Sequence, residues 1–238
     1  MESKYVALTF DDGPNTETTP KVLDLLEKYQ VKGTFFLVGS KIDDSTKDLI
    51  KRGMSLGCEY GNHSKTHSFM TKLSTDEIVE EYEFTSAKIE EVTGYRPRFF
   101  RPPYLNMDDR MLDVIDATFI FGASANDWEP EVLAEERVNR WLKNTQNGVL
   151  YLMHDFEGNI ETIKALDKLI PQLKKDGYEM VTLSELFALN KITREVGMNY
   201  EKFARPNFNG IKEDVVAVES SNRKAYTSVF QPDKLLWL

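Results

Sequence analysis

The chain has 238 residues, 41% of them hydrophobic, which is enough for one large domain with its own core. Its net charge of −9 argues against nucleic acid or an anionic membrane surface as the main partner, because both repel a negative protein. No apolar run approaches the roughly 18 residues that would predict a transmembrane helix, and the single cysteine, Cys58, excludes an internal disulfide.

The predicted elements alternate. Met1-Glu2-Ser3-Lys4 carries no signal-peptide pattern and leads at once into a short apolar strand, Tyr5–Phe10, which ends in Asp11-Asp12-Gly13-Pro14. A helix with proline in its first turn runs from Thr19 to Tyr29. Strands follow at Gly33–Val38 and Met54–Tyr60, the second leading into Gly61-Asn62-His63-Ser64-Lys65-Thr66-His67. Ser74-Thr75-Asp76-Glu77 has the form of a capping box and opens a long helix through Glu91. A strand at Arg98–Arg101 precedes Pro102-Pro103-Tyr104, and a helix at Met107–Ala117 leads to a strand at Thr118–Ala123, just ahead of Asp127-Trp128. A helix at Glu131–Lys143 and a strand at Gly148–Met153 bring the chain to His154-Asp155. The helix Asn159–Lys175, the strand Glu179–Val181 and the helix Leu183–Leu189 complete the pattern. Seven strands separated by helices predict an α/β fold, with parallel strands joined by right-handed crossovers. After Asn190 the rhythm stops. Residues 191–238 are polar with scattered aromatics, among them Tyr200, Phe230 and Trp237, and are expected to form an extension packed on the 1–190 domain or on a partner.

The chain has only three histidines, and all three fall at the ends of predicted strands. His63 and His67, four residues apart, can face the same way on one helical turn and grip one ion. Asp11 and Asp12 offer a further ligand and a base. Taken singly these signals are modest: such histidine pairs arise by chance on helices, and Asp-Asp-Gly-Pro is an ordinary turn string. Their convergence carries the argument, since α/β folds gather their chemistry at the carboxyl ends of the strands. Asn62-His63-Ser64 matches a glycan acceptor but overlaps this site and is read as chance.

Thr9-Phe10-Asp11-Asp12-Gly13-Pro14, His63-Ser64-Lys65-Thr66-His67, Arg101-Pro102-Pro103-Tyr104, Asp127-Trp128 and Leu152-Met153-His154 together resemble the five ordered motifs of the polysaccharide deacetylases, a family of carbohydrate esterases. The resemblance implies a distorted (β/α) barrel of about seven strands, with a C-terminal extension. It implies metal-dependent removal of N-acetyl groups from N-acetylglucosamine-containing polysaccharides of the chitin or peptidoglycan type, in a secreted or cell-surface setting. Some relatives remove O-acetyl groups from xylan, so an O-acetyl esterase is a second reading. A metal-holding, carbohydrate-binding surface protein without turnover is a third. By the resemblance, Asp12, His63 and His67 hold a divalent metal, zinc first. Asp11 is the base, held and tuned by Arg101. His154 is the acid, oriented by Asp127. The Tyr104 backbone N–H helps bind the oxyanion, and Trp128 and Leu152 wall the acetyl methyl. Two positions depart from the family pattern: Ser124 stands where an aspartate is common, and Tyr60 where a smaller aliphatic residue is usual.

Overall fold

The computed structural model describes residues 3–200, apart from 195 and 198. At its centre lies β1 (Lys4–Asp11), flanked by β2 (Thr34–Leu37) and by β7 (Leu150–His154), while β8 (Tyr178–Met180) pairs with its first residues. From β2 the sheet continues through β3 (Glu59–Asn62), β4 (Phe99–Phe100), β5 (Thr118–Ile120) and β9 (Asn199–Tyr200); beyond β7 lies β6 (Ala123–Ser124). Every pairing is parallel. The helices are α1 (Thr19–Tyr29), α2 (Lys47–Ser55), α3 (Thr75–Thr93), α4 (Asp109–Val114), α5 (Ala134–Lys143), α6 (Ile160–Lys175) and α7 (Leu183–Leu189). Parallel strands curled into one sheet with helices between them form the distorted (β/α) barrel that the motifs implied.

Three local features depart from the expected elements. The stretch 118–123 divides into β5 and β6, because Gly122 turns the chain at a positive φ of 158°. A side chain there would also lie 3.0 Å from Leu152 Cβ, so this turn needs glycine. The helix α2 was not foreseen. The apolar stretch 54–60 straddles the end of α2, a turn at Gly57 and the start of β3, and so mimics one strand. Finally, β9 adds a strand against β5 within the segment expected as an extension. Residues 201–238 of that extension, Phe230 and Trp237 among them, lie outside the described residues.

Helix starts follow the sequence closely. Ser74 and Glu77 make the reciprocal capping box that opens α3, and Thr182 and Glu185 do the same for α7. Along β1, Val6, Leu8 and Phe10 face a cluster with Leu26 of α1, Trp141 of α5 and Leu169 of α6, whereas Ala7 faces a second cluster with Phe36, Phe99 and Leu186. Strand side chains alternate, so Asp11 shares the inner face of the sheet with Ala7. Register completes the arrangement: Asp11 is level with Phe36 and His154, Leu37 with Asn62, and Asn62 with Phe100. The residues that follow these strands therefore emerge together at one end of the barrel.

Candidate metal centre and its flanking acid pair

Asp11 closes β1 and is 2% exposed. Its Oδ1 accepts from Arg101 Nη1 at 2.6 Å. Arg101, fully buried, follows β4 and is immobilised from several directions. Its Nε donates to Ile120 O at 3.0 Å and its Nη2 to Phe121 O, while the ring of Phe36 lies 4.2 Å from the guanidinium carbon. A planar fork held in this way presents one fixed N–H to the carboxylate.

Asp12 adopts a left-handed φ of 75°, which turns the chain sharply after the strand. Its Oδ1 lies 3.4 Å from His63 Nε2 and 3.2 Å from His67 Nε2. One ligand atom from each of the three residues falls within 4.8 Å of the others. Asp12 Oδ1 is buried and accepts no hydrogen bond. Such an atom is costly to bury without a partner, and a cation shared with two imidazoles satisfies it. His63 Nδ1 donates to the carbonyl of Arg101 at 2.7 Å, an arrangement that turns Nε2 of the neutral imidazole into the nitrogen free to ligate. Two imidazoles and one carboxylate fit a divalent transition metal with coordination positions left for water and substrate.

The two histidines do not sit on one helical turn. They occupy a loop after β3, and both Ser64 (φ 65°) and His67 (φ 59°) are left-handed. Asn62 and Glu81 hold this loop. Asn62 Oδ1 accepts from Ser64 N at 2.8 Å, and its amide donates to Tyr82 O and Ser86 Oγ of α3. Glu81, also on α3, accepts from Lys65 N and Thr66 N, both at 2.8 Å, and from Thr66 Oγ1 at 2.7 Å. The His67 ring meets Tyr104 edge-on at 4.7 Å, and Tyr104 stacks on Phe69 at 3.8 Å.

On the other side of Asp11, His154 ends β7. Its Nδ1 donates to Asp127 Oδ1 at 2.7 Å, and its backbone N–H to Asp127 Oδ2 at 2.8 Å. Burial works against charge on this imidazole, but Asp127, helped by Asp12 and Asp11, overrides it and lifts the pKa from 6.5 to about 9. Trp128 stands edge-on to the ring at 5.4 Å. Leu152 is buried beside β6 and its carbonyl accepts from Trp141 Nε1. Ser124, where the family pattern commonly has aspartate, uses its hydroxyl to accept from Asn126 N at 2.9 Å and shapes the turn that delivers Asp127. Tyr60 packs on Phe35 in the cluster between the sheet and the helices, and donates to Ile50 O.

The family model described as polysaccharide deacetylase matches residues 1–120. The chain belongs to the polysaccharide deacetylase family. A bifunctional xylanase/deacetylase of Pseudobutyrivibrio xylanivorans is 44% identical over 82% of this chain and 32% of the relative. The peptidoglycan-N-acetylmuramic acid deacetylase PdaC of Bacillus subtilis is 35% identical over 79% of the chain and 40% of the relative. This polysaccharide deacetylase chain thus spans well under half the length of either. Among solved structures, a family 4 acetyl xylan esterase from Clostridium thermocellum, in complex with a cobalt ion, superposes with a TM-score of 0.81 at 42% identity, over 84% of this chain and 98% of that one.

Sequence reasoning singled out the ten residues grouped above but passed over Glu81, Arg137, Asn159 and Thr162. Two of these carried a legible signal. Glu81 lies on the buried stripe of α3 with Ile78, Tyr82 and Thr85, and Arg137 on that of α5 with Ala134, Val138 and Trp141. A charge on an apolar stripe marks a paired or working group.

Proposed function

We propose that this chain is a metal-dependent hydrolase that removes acetyl groups from a polysaccharide. The observation that carries the reading is the convergence of a three-residue ligand set with two separate ion pairs, Asp11–Arg101 and Asp127–His154, at one end of one sheet. A binding protein has no use for both a carboxylate fixed by arginine and an imidazole fixed by aspartate.

Asp12, His63 and His67 hold the metal, with zinc the first choice and cobalt an alternative. A bound divalent ion supplies Lewis acidity at the acetyl carbonyl and lowers the pKa of water beside it. Asp11, held by Arg101, takes the proton of the attacking water. The Tyr104 N–H faces the oxygen on which negative charge develops. His154 enters protonated and delivers its Nε2 proton to the leaving group, while Asp127 stabilises the charged ring before transfer. Trp128 and Leu152 exclude water from the acetyl methyl.

Two substrate classes fit this machinery. Greater identity to the relatives named for xylan supports O-acetylated xylan. A strongly basic imidazole as acid supports the N-acetylglucosamine polymers expected from sequence, because an amine departs only after protonation. The deciding experiment measures acetate release by the zinc-loaded chain from acetylxylan, N-acetylglucosamine oligomers and peptidoglycan fragments, with Asp11→Asn as blank. Release above the blank establishes the activity and names the polymer. No release from any of the three, with zinc bound, overturns the reading.

A further inference from the structure

Arg137 is a buried charge that the proposed reaction does not use. It projects from α5 and is 2% exposed. It makes four hydrogen bonds, to Val132 O at 2.6 Å, Asn159 Oδ1 at 2.6 Å, Thr162 Oγ1 at 2.7 Å and Glu129 O at 3.3 Å. None of these acceptors carries a charge. A guanidinium buried among neutral acceptors is expensive to desolvate, so the groups that its hydrogen bonds reach matter.

Two routes lead from it to the acid pair. Thr162 Oγ1 has a single proton and gives it to Asp127 Oδ2 at 2.9 Å, so it must accept from Arg137. Asn159 accepts from Arg137 through Oδ1, and its Nδ2 donates to His154 O at 2.9 Å. The guanidinium therefore reaches Asp127 through one hydroxyl, and the main chain of His154 through one amide. These links close a ring of hydrogen bonds that passes through the Asp127 carboxylate and the main chain of His154.

We propose that Arg137, acting through Thr162 and Asn159, is a positioning residue that sets both the orientation and the acid strength of His154. The Thr162 proton and the cation behind it offset part of the charge of Asp127. Asp127 then holds the imidazolium less tightly than a lone carboxylate would, and His154 stays acidic enough to release its proton. The groups facing His154 are Asp127, Asp11 and Asp12, with the rings of Trp128 and Phe156. The anions facing Arg137 are Asp127 and Glu161, and Glu161 is itself engaged by Ala134 N and Lys164.

This inference rests on the proposed reaction, and its first readout does not. In the zinc-loaded full chain, the imidazole resonances of three histidines are few enough to assign, with His154→Gln identifying its own. Thr162→Val removes the relay hydroxyl and keeps the arginine; Arg137→Met removes the charge; Arg137→Lys restores a cation. Thr162→Val and Arg137→Met are expected to raise the His154 pKa by about half a pH unit or more, and Arg137→Lys to return it most of the way. On the acetylated substrate with the poorer leaving group, both are expected to lower kcat roughly tenfold with KM little changed. An unchanged His154 pKa in folded Thr162→Val overturns the proposal, and decides alone if Arg137→Met fails to fold. A pKa shift without turnover in the parent enzyme would sink the deacetylase reading and leave the relay standing.

Discussion

His63 donates its Nδ1 proton to the main-chain carbonyl of Arg101 across 2.7 Å, and the side chain of that same arginine holds Asp11 at 2.6 Å. One residue thus fixes the proposed metal ligand His63 by its backbone and the proposed base Asp11 by its side chain. The two functions can be separated by mutation, because a substitution changes only the second.

Arg101→Lys is expected to keep the metal and lose turnover. Lysine cannot reproduce three directed bonds to Asp11, Ile120 and Phe121 from one buried position. A fall in kcat of about 100-fold or more is expected from a misplaced base, with unchanged metal content by elemental analysis. Loss of metal instead would show that the arginine side chain, not its carbonyl, governs His63.

The loop that carries His67 gives a second, graded test. His67→Ala removes a ligand and should release the metal in equilibrium dialysis; unchanged occupancy would sink the ligand set. Glu81→Gln leaves all three ligands in place but presents one acceptor oxygen where two carboxylate oxygens now take three hydrogen bonds. Loosening an outer support of this kind should weaken metal binding by about 10-fold. Equal affinity for parent and Glu81→Gln would mean that Asn62 and the backbone bonds from Gly39 and Ser40 set the loop without Glu81.

These cases show why part of the site was legible in the sequence and part was not. Asp11, Arg101 and His154 directly end or follow apolar strands, so a reading that locates strands locates them too. The ligating geometry of His63 and His67 was misread, because helical spacing is only one way to bring two imidazoles together; here left-handed residues in a braced loop do it. Asn159 and Thr162 act through partners distant in the chain, Arg137 at 22 residues from Asn159 and Asp127 at 35 from Thr162. The two-part strand β5–β6 hinges on one glycine whose need appears only when Leu152 is packed against it.

His154 supplies a prediction with a pH sign. Its pKa in the fold is raised, to about 9, chiefly against burial and by Asp127. A raised histidine contributes stability that is complete below its unfolded value of about 6.5 and is lost as pH rises through about 9. Converted at 1.36 kcal/mol per unit, the contribution is roughly 3 kcal/mol. The parent should therefore lose more stability than His154→Gln between pH 6 and pH 10 in denaturant titrations. The same variant should slow amide substrates more than activated esters, whose leaving groups need less protonation. Equal losses on both would count against an acid role.

Asp155 carries the opposite sign. It is fully buried, Oδ2 accepts from Thr19 Oγ1 at 2.5 Å, and Oδ1 accepts nothing. Burial pushes its pKa up from 3.8 to about 7, with Asp12 and Asp11 adding to the effect. The folded chain keeps a proton that the unfolded chain gives up above about pH 4, so stability should fall as pH rises from about 4 to 7 and then level off. The integrated loss is at most roughly 4 kcal/mol. Asp155→Asn keeps an acceptor for Thr19 and carries no charge at any pH. It should match the parent near pH 4 and melt at a higher temperature at pH 8, measured by circular dichroism. A parent and variant that track each other across this range would show that Asp155 ionises freely in the fold. The close approach of this carboxyl also requires glycine at position 13, where a Cβ would meet its oxygens at 2.7 and 2.8 Å in the turn that follows Asp12.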